Sequence, residues 1–447
     1  MSEELVRLIT TAGFELYQVG GSIRDELLQR ESNDIDFATN ATPEQLKELA
    51  ATQHIRCELH GESFKVIRFM LAAGSFEVAT YRRDGIYSDG RHPDTVEYAR
   101  SIIEDLSRRD FTMNAMAKDA RTGHRIDPFG GLHDIKNRKV VTVGYPKSRF
   151  REDRLRIIRA FRFASQLGFT VHGAIIKAVR SDPIRGMLVT DERLQVELDK
   201  ILMSHQPSIA FEIMKKANFV RYLLPEVARL QFVMQPPPHF DNVWQHTMNV
   251  LDYTAMLGGD LTTRLAALLH DIGKFKEIHI TEEPTRIRFS GHASEGAIMS
   301  EMILRRFKYS NKMMKDVFYL INYHMALKHV DKTCSDTLRR YLRRVVNRQG
   351  EEQAWRLVTL NMADGLDLYA GYINYEHIPA LEEVAAELRI NPIKPAINGH
   401  DIMRITGCKG PMIGYIKEEM LKLLENEELS NDVETLTEFV EGWKCYE

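Results

Sequence analysis

Up to about Arg151 the chain alternates short β-type runs with helical stretches, and beyond that point it reads as helix almost without interruption. A chain divided in this way can build a sheet only in its N-terminal third. Residues 2–12 read as a short amphipathic helix, YQVGG as a strand entering a Gly-Gly turn, and SIRDELLQR as the helix that follows. NDIDFAT is the next strand and TPEQLKELA the next helix, opened by Thr42 and by Pro43 in its first turn. FKVIRFM, FEVATYR and VEYAR add β-type runs separated by polar turns. Farther along, Leu155, Ile158 and Phe161, then Leu198, Ile201 and Leu202, recur at helical spacing. Pro236-Pro237-Pro238 cannot continue a helix and marks a boundary. A length of 447 residues fits about three domains, so more than one core is expected.

Composition excludes several classes. With 44% apolar and 28% charged residues and only 15 prolines, the chain is neither disordered nor collagen-like. No apolar run approaches the roughly 18 residues of a membrane span, and the opening MSEELVRLIT lacks a signal-peptide core. No membrane partner and a cytoplasmic location are therefore expected. Cys57, Cys334, Cys408 and Cys445 are scattered without CxxC pairing, and the expectation is four free thiols. The net charge of −3 speaks against indiscriminate binding of nucleic acid over the whole surface. It permits a local patch: residues 147–162, KSRFREDRLRIIRAFR, are strongly basic, whereas 424–441 are acidic. A nucleic acid is expected to meet the front of the chain.

The chemistry begins with Asp34 and Asp36, which flank Ile35 on a short strand. Strand side chains alternate faces, so the two carboxylates point the same way and can grip shared cations. Two divalent ions roughly 4 Å apart would hold a nucleoside triphosphate and activate an attacking hydroxyl. A bare DxD is more often a pair of solvated acids, but upstream Gly20-Gly21-Ser22 joins a strand to a helix bearing Arg24 and Asp25. A glycine turn at a helix N-terminus offers backbone N–H groups to phosphate, with Ser22 and Arg24 as further donors. Glu77 stands on a later strand as a possible third carboxylate, although a lone strand glutamate is usually structural.

GGSIRD followed by DID resembles the polymerase β-like nucleotidyltransferases, specifically the bacterial class II CCA-adding enzymes and poly(A) polymerases. The resemblance continues through RRDFTMNAM at 108–116, DPFGGLHDI at 127–135, EDRLRIIRAFRFASQLGF at 152–169 and ERLQVELDKIL at 192–202, covering about the first half of the chain. It implies that Asp34 and Asp36 hold catalytic Mg²⁺. It also implies that Arg109, Asp110 and Asn114 bind the nucleotide, Asp110 at the ribose hydroxyls. Asp153, Arg156, Arg159 and Arg162 fall in the segment that selects it, and the 192–202 segment braces that helix. Asp153, Arg156 and Arg159 are spaced i, i+3, i+6 and are expected on one helical face, with Leu155, Ile158 and Phe161 on another. A carboxylate beside a guanidinium can pair with a base edge, and the resemblance implies selection of CTP and then ATP without a template. The loop RRDGIYSDGRHPDT at 82–95 is long, as in family members that add the terminal A.

After the prolines, His246, His270-Asp271, His292, His324 and Asp364 form the order H…HD…H…H…D of the His-Asp (HD) phosphohydrolases. Leu265, Leu268 and Leu269 bury one side of a helix expected to end at Gly273. His and carboxylate ligands suit Mn, Ni, Co, Fe or Zn. Lys274 would lie near a bound phosphate. Residues 391–414 resemble the tail of class II enzymes carrying this domain, and no chemistry is assigned to them.

The fold class expected is α+β: a small mixed-sheet nucleotidyltransferase head at 1–145, a helical neck and body at 146–235, a helical HD domain at 236–372 and a helical tail at 373–447. The reaction expected is attack of a tRNA 3′-hydroxyl on the α-phosphorus of CTP or ATP, releasing pyrophosphate, with a second phosphohydrolase activity. A-only addition or poly(A) synthesis is the alternative within the same chemistry. A stand-alone phosphohydrolase with an RNA-binding head is the alternative outside it, and the intact GGS and DID motifs speak against it.

Overall fold

The computed structural model describes residues 3–31, 35–60, 66–85, 95–181, 189–235, 241–276, 279–281, 286–329, 335–368, 377–390 and 393–443. It divides into two compact units, Met1–Ala228 and Arg229–Glu447. In the first, nine described strands lie between Leu16 and Ile126: β1 Leu16–Val19, β2 Asp36–Thr39, β3 Arg56–His60, β4 Val66–Leu71, β5 Gly74–Thr80, β6 Arg82–Asp84, β7 Val96–Tyr98, β8 Ala117–Asp119 and β9 Arg125–Ile126. Seven form one sheet in the order β3-β4-β5-β2-β1-β8-β9, while β6 and β7 pair with each other. The sheet is mixed, because β2 runs parallel to β5 and antiparallel to β1.

Strand alternation on β2 separates two cores. Phe37 packs with Phe69 and Val78 against Leu5 and Ile9 of the helix Glu3–Thr11 and Leu46 and Ala50 of the helix Pro43–Thr52. Ala38 turns to the opposite face, with Val19, Tyr81, Leu106 and Ala117. Asp36 lies two residues before Ala38 and shares its face. Thr42 caps the helix Pro43–Thr52 through a reciprocal capping box with Gln45. The helix Leu155–Leu167 then packs on Asp191–Leu202 and Ser208–Lys216, ending at Gly168 in the left-handed region, φ +67°.

The second unit is helical among the described residues apart from the short pair His279–Thr281 and Arg286–Arg288. Its central helix, Leu261–Leu269, is buried from Thr262 to Leu269 and capped by Asp260. Around it stand Val243–Met256, Asn311–Tyr323 and Glu351–Leu368, and His292–Arg306 packs on Asn311–Tyr323. Farther along the chain, Gly399–Thr406, Pro411–Glu425 and Val433–Glu441 enclose a small core of their own around Ile402, Met420 and Leu436. Buried Glu425 pairs with Arg348 of the helix Ser335–Gln349 at 3.1 Å.

Three local expectations change. The helix carrying Leu265, Leu268 and Leu269 stops at Leu269, and Gly273 lies in a 3₁₀ turn, Ile272–Phe275. Glycine is required there by crowding: a Cβ would sit 2.1 Å from the His292 carbonyl oxygen and 2.7 Å from the Gly296 nitrogen. The 152–162 stretch is not one helix, since Pro146–Glu152 and Leu155–Leu167 are separate and Asp153 between them is extended, φ −144° and ψ 111°. Among the cysteines, Cys57 is a free thiol but buried Cys408 is disulfide-bonded. The lack of a CxxC spacing constrains only neighbours in sequence, and folding brings distant positions together.

Because backbone lines the space beside Gly273 on two sides, Gly273→Ala should cost about 1–3 kcal/mol of unfolding free energy. Denaturant melts read this directly, and an unchanged midpoint would mean that the 3₁₀ turn can move away from His292.

Candidate functional site

A cavity of about 550 Å³ in the first unit is lined by the Gly20-Gly21 turn, Asp36 at the start of β2, the segment Arg108–Asn114, and the link and helix that carry Asp153 to Phe163. Gly20 has φ +82°, and a Cβ on it would lie 3.2 Å from Arg109 Nη1 and 3.5 Å from Asp36 Oδ2. Glycine thus lets the turn, the arginine and the carboxylate approach one another. Ser22 is outside the lining: its hydroxyl donates to the Val19 carbonyl at 3.2 Å and accepts from Gln18 Nε2 at 3.1 Å, closing the turn. Asp34 lies outside the described residues, as do residues 86–94 of the long loop. Glu77 is the cross-strand neighbour of Asp36 and is held by Arg68 at 2.6 Å.

Seven arginines line the cavity, and each has a carboxylate partner. Arg24 is bidentate to Asp25, Arg108 and Arg109 share Asp105, Arg156 pairs with Glu152, Arg159 with Asp110, Arg162 with Glu197, and Arg193 with Asp153. Phe163 supplies a common face: the guanidinium carbons of Arg24, Arg159 and Arg162 lie 5.1, 5.5 and 4.2 Å from its ring centroid. Two buried donors, Arg109 Nε and Arg193 Nη1, have no hydrogen-bond partner among the described residues.

Asp110 is the best-held carboxylate. It accepts from Arg159 Nε at 2.9 Å and from Asn114 Nδ2 at 3.1 Å, and Arg24 Nη1 donates to Asn114 Oδ1 at 2.8 Å. Burial pushes the Asp110 carboxyl up, but the charge and hydrogen bonds of Arg159 outweigh it and hold the group below its ordinary range. Asp153 and Arg156 do not pair with each other. Asp153 Oδ1 accepts from the Leu155 amide at 3.0 Å, and its other oxygen accepts from Arg193 at 3.0 Å. Arg156 donates to the Arg108 carbonyl at 3.0 Å as well as to Glu152. Both line the cavity, each anchored from behind. Arg193, Glu152 and Phe163 were not singled out from sequence, although all three lie inside the quoted motifs.

The second unit gathers every ligand candidate of the H…HD…H…H…D series. His246 Nε2 lies 3.3 Å from both Asp271 Oδ2 and Asp364 Oδ1, and His270 Nε2 lies 3.2 Å from Asp271 Oδ2. His292 and His324 place Nε2 at 3.5 and 3.9 Å from Asp271 Oδ1. Two ligand groups result, His246-His270-Asp271 and Asp271-His292-His324, joined through Asp271. The Nδ1 atoms face outward: those of His270, His292 and His324 meet the carbonyls of Ala267, Phe289 and Ile321 at 2.8, 2.6 and 2.6 Å, and that of His246 meets Asp367 at 2.5 Å. This fixes the rings with Nε2 toward the centre. Asp367 was missed in the sequence, where its only signal is the spacing of one helical turn from Asp364.

Burial opposes charge on His246, yet hydrogen bonds with Asp271, Asp364 and Asp367 raise it to about 10. Burial takes His324 down to about 3 and lowers His292, leaving both as neutral imidazoles. Asp271 is fully buried, and burial is overcome there by the nearby charges of His270 and Lys274. Its Oδ2 faces the Nε2 atoms of His246 and His270 at 3.3 and 3.2 Å, a set of ligand atoms close enough to share one cation. An imidazole-rich set with a bridging carboxylate fits transition metals.

Residues 16–141 match the poly A polymerase head domain family, 168–230 the probable RNA and SrmB-binding site of polymerase A, and 243–368 the HD domain. Together with the cavity these define a nucleotidyltransferase head on a chain that also carries an HD domain. Across its length the chain is similar to the CCA-adding enzyme of Streptococcus pyogenes serotype M3, 30% identical over 97% of this chain and 94% of the relative. The CCA-adding enzyme of Anoxybacillus flavithermus is 29% identical over 98% and 95%. The fold is similar to that of the Bacillus stearothermophilus CCA-adding enzyme in complex with CTP, with a TM-score of 0.74 at 24% identity over 98% and 95% of the two chains. The chain belongs to the family of CCA-adding enzymes.

Asp110→Asn keeps the shape of the side chain but removes the charge opposite Arg159. Arg159 is about a third exposed, so the cost at neutral pH should be modest, about 1–3 kcal/mol. A carboxyl held below its ordinary range adds stability above its unfolded pKa and loses it as pH falls through the folded value. The deficit should therefore shrink below about pH 4. Urea melts from pH 3 to 8 check this, and a pH-independent deficit would contradict it.

Proposed function

We propose that this chain completes the 3′ end of tRNA, adding C, C and A from CTP and ATP without a template. The proposed organisation is a catalytic head at 1–145, a neck and body that select nucleotide and hold tRNA at 146–235, an HD domain at 236–372 and a tail at 373–447. The observation that carries the reading is the arginine-lined cavity beside Asp36 in a chain of the CCA-adding family. Solved relatives of the same fold include one complexed with tRNA and others with CTP or ATP.

In the reaction, the tRNA 3′-oxygen forms a bond to the α-phosphorus while the bond to the pyrophosphate oxygen breaks. The arginines are already balanced by carboxylates, so the charge of a triphosphate calls for added cations. Asp36, with Asp34 beyond the described residues, would hold Mg²⁺, which neutralises phosphate charge and acidifies the attacking hydroxyl. Gly20, Gly21 and Arg24 face the phosphates, with Ser22 holding the turn in shape. Arg109, Asp110 and Asn114 take the ribose. Asp153 and Arg156 present an acceptor and a donor to the base edge, and Arg159 and Arg162 keep the wall beside Phe163 rigid.

The HD domain has a separate role in this reading: hydrolysis of phosphoesters at RNA ends, with Mn, Ni, Co, Fe or Zn held by His246, His270, Asp271, His292, His324 and Asp364. No described helix is long and apolar enough to cross a membrane, and a cytoplasmic location fits a tRNA substrate.

Incubating a tRNA that lacks its last three nucleotides with CTP, ATP or both, and sequencing the products, tests the reading. CTP alone should give CC, and both nucleotides CCA. A single A on a CC end only, or a poly(A) tract, would contradict it. Asp36→Ala should slow both incorporations about a hundredfold or more.

A further inference from the structure

One buried pair beside the HD centre is not used by metal ligation. Lys274 and Gln235 are each 8% exposed. Lys274 Nζ lies 2.6 Å from Asp271 Oδ2, outside hydrogen-bond alignment, and donates to Gln235 Oε1 at 2.7 Å. An ammonium carries only donors, so it fixes the orientation of the amide: the carbonyl oxygen faces Lys274 and Nε2 faces away from it. That Nε2 is buried and has no hydrogen-bond partner among the described residues. Native proteins seldom leave a buried amide donor unmade, and the exceptions call for a ligand.

If Gln235 served only to tether Lys274, a glutamate would do so more strongly through charge. Glutamine gives up that gain. It keeps a second, unmade donor and adds no negative charge beside Asp271. A ligand that suits this pair accepts hydrogen bonds, carries negative charge for the ammonium, and sits beside Asp271, which the two ligand groups share. A non-bridging phosphoryl oxygen has all three properties, whereas a hydroxyl or a neutral amide lacks the charge.

We propose that Gln235 and Lys274 form the phosphate-binding donor pair of the HD centre, with Gln235 a substrate-contacting residue on the segment that precedes the three prolines. This rests on the phosphohydrolase reading above. The same oxygen belongs to a phosphomonoester and to a 2′,3′-cyclic phosphodiester, so both are assayed.

The test uses the full chain with Gln235→Glu and Gln235→Leu. Calorimetry gives the affinity for Mn²⁺ alone, then for inorganic phosphate on the Mn²⁺-loaded protein. Steady-state hydrolysis of p-nitrophenyl phosphate and of 2′,3′-cyclic CMP gives KM and kcat. Both variants should hold Mn²⁺ within about twofold of the parent, because no metal ligand is touched. Phosphate affinity should fall about tenfold or more, further for Gln235→Glu than for Gln235→Leu, with KM rising more than kcat falls. Gln235→Glu retains an anchor for Lys274, so it remains informative if the leucine variant folds poorly. Phosphate binding and KM at parental values in a Mn²⁺-binding Gln235→Glu protein would overturn the proposal alone. A parent chain that binds none of Mn²⁺, Ni²⁺, Co²⁺, Fe²⁺ and Zn²⁺ would overturn the HD reading, and the proposal with it.

Discussion

Seven guanidinium groups around one cavity repel one another, and the first unit is organised by the need to hold them there. The solution is one carboxylate behind each arginine, with Asp105 serving two, and the face of Phe163 shared among three. Those pairs tie separate stretches together: Asp110 from the head to Arg159 on Leu155–Leu167, and Glu197 and Arg193 on Asp191–Leu202 to Arg162 and Asp153. Removing one member would leave its partner charged and unpaired in a half-buried place, at a cost below that of a fully buried charge.

Balanced arginines have a chemical consequence. Each guanidinium has five donors in a fixed fork, and a carboxylate on one edge leaves the other edge directed and rigid. Such a wall distinguishes the shape and hydrogen-bonding edge of a ligand more than its total charge. The HD centre in the second unit uses the opposite economy: four imidazoles oriented by their Nδ1 contacts converge on one buried carboxylate. The carboxylate beside the arginine cavity and the imidazoles of the HD centre are donor types suited to different ions.

Much of this was legible in the sequence because it is local. Alternation and glycine placed β1, its turn and β2, and the proline and threonine of 42–43 placed a helix start that the structure caps as expected. The H…HD…H…H…D series was legible by spacing, and its six residues do converge. What failed was the inference from spacing to partner. Asp153 and Arg156 read as neighbours on one helix, but the chain breaks at Asp153, where the carboxylate serves the following Leu155 amide instead of continuing the helix. Arg193 and Asp367 were missed because their roles depend on tertiary proximity across tens of residues or more. Gly273 was read as a helix stop when the governing fact is a backbone of another helix passing close by.

The central claim is that the base of the incoming nucleotide is read by protein groups held in this cavity, with Arg156 as the fixed donor. The direct measurement is competition among all four nucleoside triphosphates for a tRNA lacking its 3′ end, comparing the parent with Arg156→Ala. The account predicts that preference for CTP and ATP over UTP and GTP falls by about tenfold or more, while single-nucleotide incorporation persists. Undiminished preference in the variant would contradict it and place base selection elsewhere.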